Sequence, residues 1–203
     1  MKQAKVLTQK ELKKVLDYID AFDRHAERNR AMLLLTHLCG CRVSEVASLK
    51  VSDVINDKDE VNDIIFLSAE QTKGSDSRRV FVNTKAKSAI KRYLQSNISV
   101  YNSVYLFTTQ KSKQFTANTL TQLLKRLYEQ VGIKHATSHS GRRTFITKLA
   151  NSGVNVRVIA ELASHKSIQT TQRYIDINDN LCSNAVELVW VVRLKGNSVK
   201  TQM

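Results

Sequence analysis

A chain of 203 residues is long enough for one domain with a full core, and 42% apolar with 25% charged residues is the balance of a soluble globular protein. Its 32 Lys+Arg against 18 Asp+Glu leave a net charge of +14, which favours a polyanionic partner, nucleic acid first and an anionic membrane surface second. No apolar run reaches the roughly 18 residues of a membrane span, no secretory h-region follows Met1, and Cys39, Cys41 and Cys182 are too few and odd in number for a disulfide framework; a cytoplasmic protein is expected.

Thr8-x-x-Glu11 reads as a capping box opening a helix over 8–21, with Leu12, Val15, Leu16 and Ile19 at helical spacing. A second helix over 26–38 contains the apolar run Met32–Leu35 and stops near Gly40. A short third helix runs from Val43 to Leu49, and the acidic segment Asn56–Asp63 reads as a loop. Ile64–Leu67 and Arg79–Val82 read as two strands around the turn Thr72–Ser75. Asn83 caps a predicted helix to about Ser96, Val104–Phe107 is a candidate third strand, and Asn118 to Val131 is an amphipathic helix closed by Gly132. Helices are then predicted over 139–151, 155–163, 167–175 and 181–191, before a frayed tail. The absence of proline removes one route to helix breaks. The expected fold class is mainly α with a small antiparallel β-sheet, in one unit without repeats or linkers.

The chemistry-bearing residues concentrate between His139 and Tyr174. His139 and Arg142 are three apart on one helix face, His165 follows, and Tyr174 sits among Thr170, Thr171, Gln172, Arg173 and Asp176. Two histidines, an arginine and a polar-flanked tyrosine suit attack on a phosphate by a phenolic oxygen. Upstream, Arg42 and Glu45 are i,i+3, so a carboxylate can brace a guanidinium; an ordinary surface ion pair has the same spacing. Lys73 sits at a hairpin tip, where a lysine is either simply solvated or a mobile proton donor. Cys39-x-Cys41 with His135-x-x-x-His139 does not match zinc-ligand spacing, and Asp57, Asp59, Glu60 and Asp63 lack the glycine and spacing of a calcium loop. No metal is expected. Leu181, Val186, Leu188, Val189 and Trp190 form an apolar set that docks either on the chain's own core or on a neighbouring protomer.

These pieces resemble the tyrosine recombinases, also called phage-type integrases, over about Leu7 to Leu188. The family motif G-x-R-x-x-E-x-x-x-L is matched by Gly40, Arg42, Glu45 and Leu49, the hairpin lysine by Lys73, and His-x-x-Arg by His139 and Arg142. The family's L-G-H-x-S-I-x-T-T-x-x-Y is matched from Leu162 to Tyr174, with His165 and Tyr174 as its functional positions. There are departures: Gly141 stands where the family usually has an apolar residue, Arg143 where His is common, and Ser164 where glycine precedes the histidine. In a helix interior Gly141 should weaken the local helix by up to about 1 kcal/mol.

The resemblance implies a site-specific recombinase that cleaves and rejoins DNA without metal or other cofactor. Tyr174 would attack a backbone phosphate to form a 3′-phosphotyrosyl bond and expel a 5′-hydroxyl. Arg42 and Arg142 would clamp the non-bridging oxygens, His139 would assist proton movement, and His165 would donate to a phosphate oxygen. Lys73 would protonate the leaving oxygen, and Glu45 would support Arg42. The expected partners are double-stranded DNA, three further copies of the chain in a homotetramer on two duplexes, and accessory DNA-bending proteins, with no membrane. The chain divides as 1–178, a catalytic domain, and 179–203, a C-terminal helix and tail that would dock on a neighbouring protomer. No N-terminal core-binding domain is expected within the sequence: it reads as a catalytic fragment or as a short single-domain member. A type IB topoisomerase, with similar chemistry, and a non-enzymatic DNA-binding protein are the alternatives.

Overall fold

The computed structural model describes residues 3–72, 76–110 and 112–174, with residues 183 and 186. The first helix, α1 (Gln9–Phe22), starts on the expected capping box: the Thr8 hydroxyl accepts from the Glu11 N–H at 3.2 Å, and Glu11 Oε2 accepts from the Thr8 N–H at 2.9 Å. Such a cap stabilises a helix by about 1 kcal/mol. Helix α2 (Ala26–Leu38) is the centre of the molecule. Met32, Leu33, Leu34, Leu35, Thr36 and His37 are all buried, so this helix is covered on every side rather than along one stripe. It packs against α1, against α5 (Thr84–Ser96) and against α7 (Ser140–Asn151). Gly40 then turns the chain at φ +66° into α3 (Val43–Ser48).

A one-turn helix, α4 (Val51–Val54), follows, which the sequence reading missed because four residues are too few to show a period. Strands β1 (Ile64–Leu67) and β2 (Arg78–Phe81) pair antiparallel, with Ile65 opposite Val80 and Leu67 opposite Arg78. The second strand thus begins one residue earlier than predicted, so Arg78 belongs to the sheet. Val104–Phe107 does not form the predicted third strand. It makes a single bridge, Tyr105 with Lys50, and both Leu106 and Phe107 are fully buried, so the alternation that a half-buried strand needs is absent.

Helix α6 (Ala117–Gln130) is capped by Thr116 and ends before Gly132, which takes φ +73°. It contributes Leu120, Leu124, Leu127 and Tyr128 to the main core. A second, smaller apolar cluster of Ile146, Ala150, Ile159 and Ala163 joins α7 to α8 (Val156–Ala163). The last described helix, α9 (Ile168–Gln172), is shorter than predicted, and Tyr174 lies in the turn behind it. The predicted helix over 181–191, with Trp190, lies outside the described residues, apart from Ser183 and the exposed Val186.

Gly141 is explained by the packing of α7 on α2. A Cβ there would sit 2.8 Å from the Thr36 Cβ and 3.0 Å from His37 Cδ2. Thr36 cannot move aside, being fully buried with its hydroxyl donating to the Leu33 carbonyl at 2.7 Å. Close approach of two helices therefore outweighs the propensity cost. Gly141→Ala is expected to destabilise by about 1–3 kcal/mol through overpacking, although alanine gains up to about 1 kcal/mol in helix propensity. Urea denaturation measures the balance, and a more stable variant would contradict this account.

Candidate active site

The site forms where three segments meet: the α2–α3 junction, the first turns of α7, and the C-terminal end of α8. Arg42 is the N-cap of α3. Its backbone N–H donates to Glu45 Oε2 at 2.7 Å, and its Nη1 donates to Glu45 Oε1, also at 2.7 Å. Both carboxylate oxygens are thereby used, and Glu45 is 0% exposed while Arg42 stays part-exposed. This is a braced guanidinium rather than a surface ion pair. A buried carboxylate with good hydrogen bonds tolerates the loss of water that an unpaired one would not.

Arg142 enters from α7 and is 8% exposed. Its Nη1 donates to the Gly40 carbonyl at 2.7 Å, and its Nη2 donates to the Ala163 carbonyl. Arg42 Nη2 donates to the next carbonyl along, that of Ser164, at 3.1 Å. The two guanidinium groups converge on adjacent carbonyls at the end of α8, where the helix dipole is negative. That anchorage offsets part of the repulsion between them. Burial, followed by the charges of Arg42 and Arg78, pushes Arg142 down to about 10, which still leaves it charged at neutral pH.

Gly40 makes this junction possible. A Cβ on Gly40 would lie 2.5 Å from the Phe145 ring, and φ +66° suits only glycine without strain. Ser164 takes φ +48° at the C-cap of α8, a left-handed position that explains the glycine usual in its place. The turn aims His165 back at the arginines. Its Nδ1 is 2.8 Å from the Thr171 hydroxyl, and Thr171 is fully buried. Burial, then the positive charges of Arg142, Arg42 and Arg78, lowers His165 to about 4, so it is neutral at pH 7. In the tautomer in which Nδ1 accepts from the Thr171 hydroxyl, the neutral ring carries its proton on Nε2.

Tyr174 stacks on His165, with ring centroids 6.0 Å apart and an interplanar angle of 20°. The Arg143 guanidinium lies 5.5 Å from the Tyr174 ring centroid, within cation–π range. The tyrosine ring also packs on the α7–α8 apolar cluster, so it is half-buried rather than set in wholly polar surroundings. His139 stands at the N-cap of α7, one turn before Arg142, and is exposed. Lys73 lies outside the described residues, as do Gly74 and Ser75. A cleft lined by Phe66, Ser77, Arg79, Glu161 and Ser164 separates the hairpin from α8.

The structure thus brings together Arg42, Glu45, Arg142, His165 and Tyr174, and adds one residue the sequence reading missed. Arg78, at the inward-facing start of β2, places Nη2 3.6 Å from Glu45 Oε2 with its side chain 4% exposed. Strand alternation with Val80 is the signal that would have found it, had the strand been started one residue earlier. Cys39 and Cys41 are buried thiols of the main core, and burial raises Cys39 to about 11. Among the described residues no group of three or more His, Cys, Asp or Glu is placed to hold a metal ion. Likewise, among those residues no helix is long and apolar enough to cross a membrane.

Two guanidinium groups, a neutral imidazole and a phenol thus lie together, a set of groups chemically able to receive an anion beside a phenolic oxygen. The sequence of residues 5–180 matches the model of the phage integrase family. The chain belongs to that family. This integrase-family chain is 32% identical over 186 residues to the tyrosine recombinase XerA of Pyrococcus furiosus, covering 90% of the chain and 61% of that relative. It is 30% identical over 197 residues to the tyrosine recombinase XerD of Rickettsia bellii, covering 91% of the chain and 64% of XerD. The chain spans less than two thirds of the length of these relatives. Among solved structures, a XerA recombinase crystal structure superposes with a TM-score of 0.74 at 26% identity, over 94% of this chain and 66% of the other. XerH recombinase bound to its difH substrate shares the fold, with a TM-score of 0.70 at 22% identity over 93% of this chain and 55% of that one.

Proposed function

We propose that this integrase-family chain cleaves and rejoins DNA strands through a covalent 3′-phosphotyrosyl intermediate, as the catalytic part of a site-specific recombinase. The observation that carries the reading is the convergence of Arg42 and Arg142 beside the His165–Tyr174 stack. The Tyr174 oxygen attacks the scissile phosphorus, the bond to the 5′-oxygen breaks, and the 5′-hydroxyl leaves. Arg42 and Arg142 hold the non-bridging oxygens as charge builds on them, a task suited to planar, always-charged donors. The neutral His165 donates from Nε2 to a phosphate oxygen, and His139 assists removal of the phenolic proton. Lys73, on the hairpin, protonates the leaving oxygen. The phosphodiester energy is retained in the tyrosyl ester, so attack by another strand's 5′-hydroxyl reverses the step without a nucleotide cofactor.

The net charge of +14 supports duplex DNA as the partner. So does a groove beside α6 that presents Arg28, Gln114, Thr119, Gln122, Lys125 and Arg126. Sequence readout falls to polar side chains of α6 and α7. Residues 1–178 act as the catalytic domain in this reading, and the segment after it docks on a neighbouring copy to assemble four protomers on two duplexes. The XerH–difH complex is a relative's structure with its own substrate, consistent with such a partner.

The test is denaturing-gel trapping of a covalent complex on nicked DNA carrying candidate half-sites, in EDTA. An EDTA-resistant, protease-sensitive adduct on the 3′-phosphate of the cleaved strand supports the reading. DNA binding with no adduct on any half-site, including sites with long genomic flanks, would refute it.

A further inference from the structure

Arg78 is a charged residue with little visible to do. It faces inward at the start of β2, opposite Leu67 and beside Val80, in a position that strand alternation reserves for the core. None of Nε, Nη1 and Nη2 has a hydrogen-bond partner among the described residues, and each is shut off from solvent. A buried guanidinium without hydrogen bonds is costly, and an apolar side chain of similar size would pack there at less expense.

Neutralising Glu45 does not account for it. Glu45 already receives two hydrogen bonds of 2.7 Å from Arg42, one from the backbone and one from the side chain. Arg78 approaches Glu45 Oε2 only to 3.6 Å. Among the described residues, Arg42, Arg78 and Arg142 therefore face one buried carboxylate, which leaves two of their positive charges uncompensated there. Arg78 is also close enough to lower the proton affinity of both Arg142 and His165. Its charge reaches the groups that would hold the phosphate.

We propose that Arg78 is a positioning residue of the strand-cleavage site, a third guanidinium that holds Glu45 against Arg42 from the sheet side and supplies fixed positive charge behind the phosphate clamp. A phosphoryl group that gains negative charge in the transition state meets a surplus of positive charge already in place. The charge needs no reorganisation at the moment of reaction, because the sheet and the core hold it. The inference rests on the strand-cleavage reading and deepens it: Glu45 is the hinge between a guanidinium that touches substrate and one that does not.

The experiment compares wild type, Arg78→Met, Arg78→Lys and Tyr174→Phe on one nicked suicide substrate, measuring single-turnover cleavage at saturating protein, DNA affinity and melting temperature. Arg78→Met should cleave about thirtyfold or more slowly, with DNA affinity within about threefold of wild type. Arg78→Lys should recover about tenfold of that loss, since it restores charge without the planar fork. Arg78→Gln gives the same comparison if the methionine variant does not fold. A folded Arg78→Met that cleaves within about threefold of wild type overturns the inference. It is equally overturned if lysine rescues no better than methionine while both lose rate in step with melting temperature. An inactive wild-type protein removes the cleavage reading, and this inference with it. An active wild type beside an equally active Arg78→Met removes this inference alone.

Discussion

Tyr174→Phe is expected to abolish covalent attachment to nicked DNA while leaving DNA affinity within about twofold of wild type, since only the nucleophilic oxygen is lost. The ring should keep its place. The stack on His165, the Arg143 guanidinium above the ring, and the packing on Ile146, Ala150, Ile159 and Ala163 all involve the ring and not the hydroxyl. No hydrogen bond from the Tyr174 hydroxyl holds the fold among the described residues, so the variant should melt within about 1 kcal/mol of wild type. The measurement is the covalent band on a denaturing gel beside a native gel for binding. Adduct formation by the phenylalanine variant would remove Tyr174 as the nucleophile, and loss of both bands together would show that the hydroxyl also serves DNA binding or the fold.

The residues of the site were legible in the sequence to the extent that local spacing encodes them. Arg42 and Glu45 are three apart because one turn of helix joins an N-cap to the carboxylate that satisfies its backbone N–H. His165 and Tyr174 are nine apart because a left-handed turn at Ser164 and the short α9 bring the rings face to face. Arg78 was not legible, because a strand begun at Arg79 leaves it outside the alternation with Val80 that puts it on the inward face. Gly141 looked like a defect in a helix and proved to be the point where α7 closes on Thr36 and His37. Only the partner helix, distant in sequence, could show that. Val104–Phe107 misled for the opposite reason: its apolar residues serve the core side by side and not in alternation.

Arg142→Ala is expected to slow cleavage by about 10²–10³-fold, the loss of one preorganised donor to developing charge, or roughly 3–4 kcal/mol of transition-state stabilisation. Its effect on folding should be smaller, because two structural consequences oppose each other. Removing the side chain leaves the Gly40 and Ala163 carbonyls without their donor, a cost of roughly 1–3 kcal/mol for buried acceptors. It also removes a buried guanidinium that lies near Arg42 and Arg78, whose repulsion and desolvation already lower its own proton affinity. The same relief should raise the proton affinity of His165, which burial and the three arginines hold at about 4. The measurement is single-turnover cleavage with saturating protein, run beside urea denaturation. A cleavage rate within about threefold of wild type would exclude Arg142 from the phosphate clamp. A collapse of stability to match the lost rate would assign it to the fold instead. Arg142→Lys separates the two, since an ammonium keeps the charge but cannot bridge Gly40 and Ala163 with a planar fork. Cleavage by the lysine variant should therefore fall between wild type and alanine, and the distance from wild type measures how much of the clamp depends on that geometry.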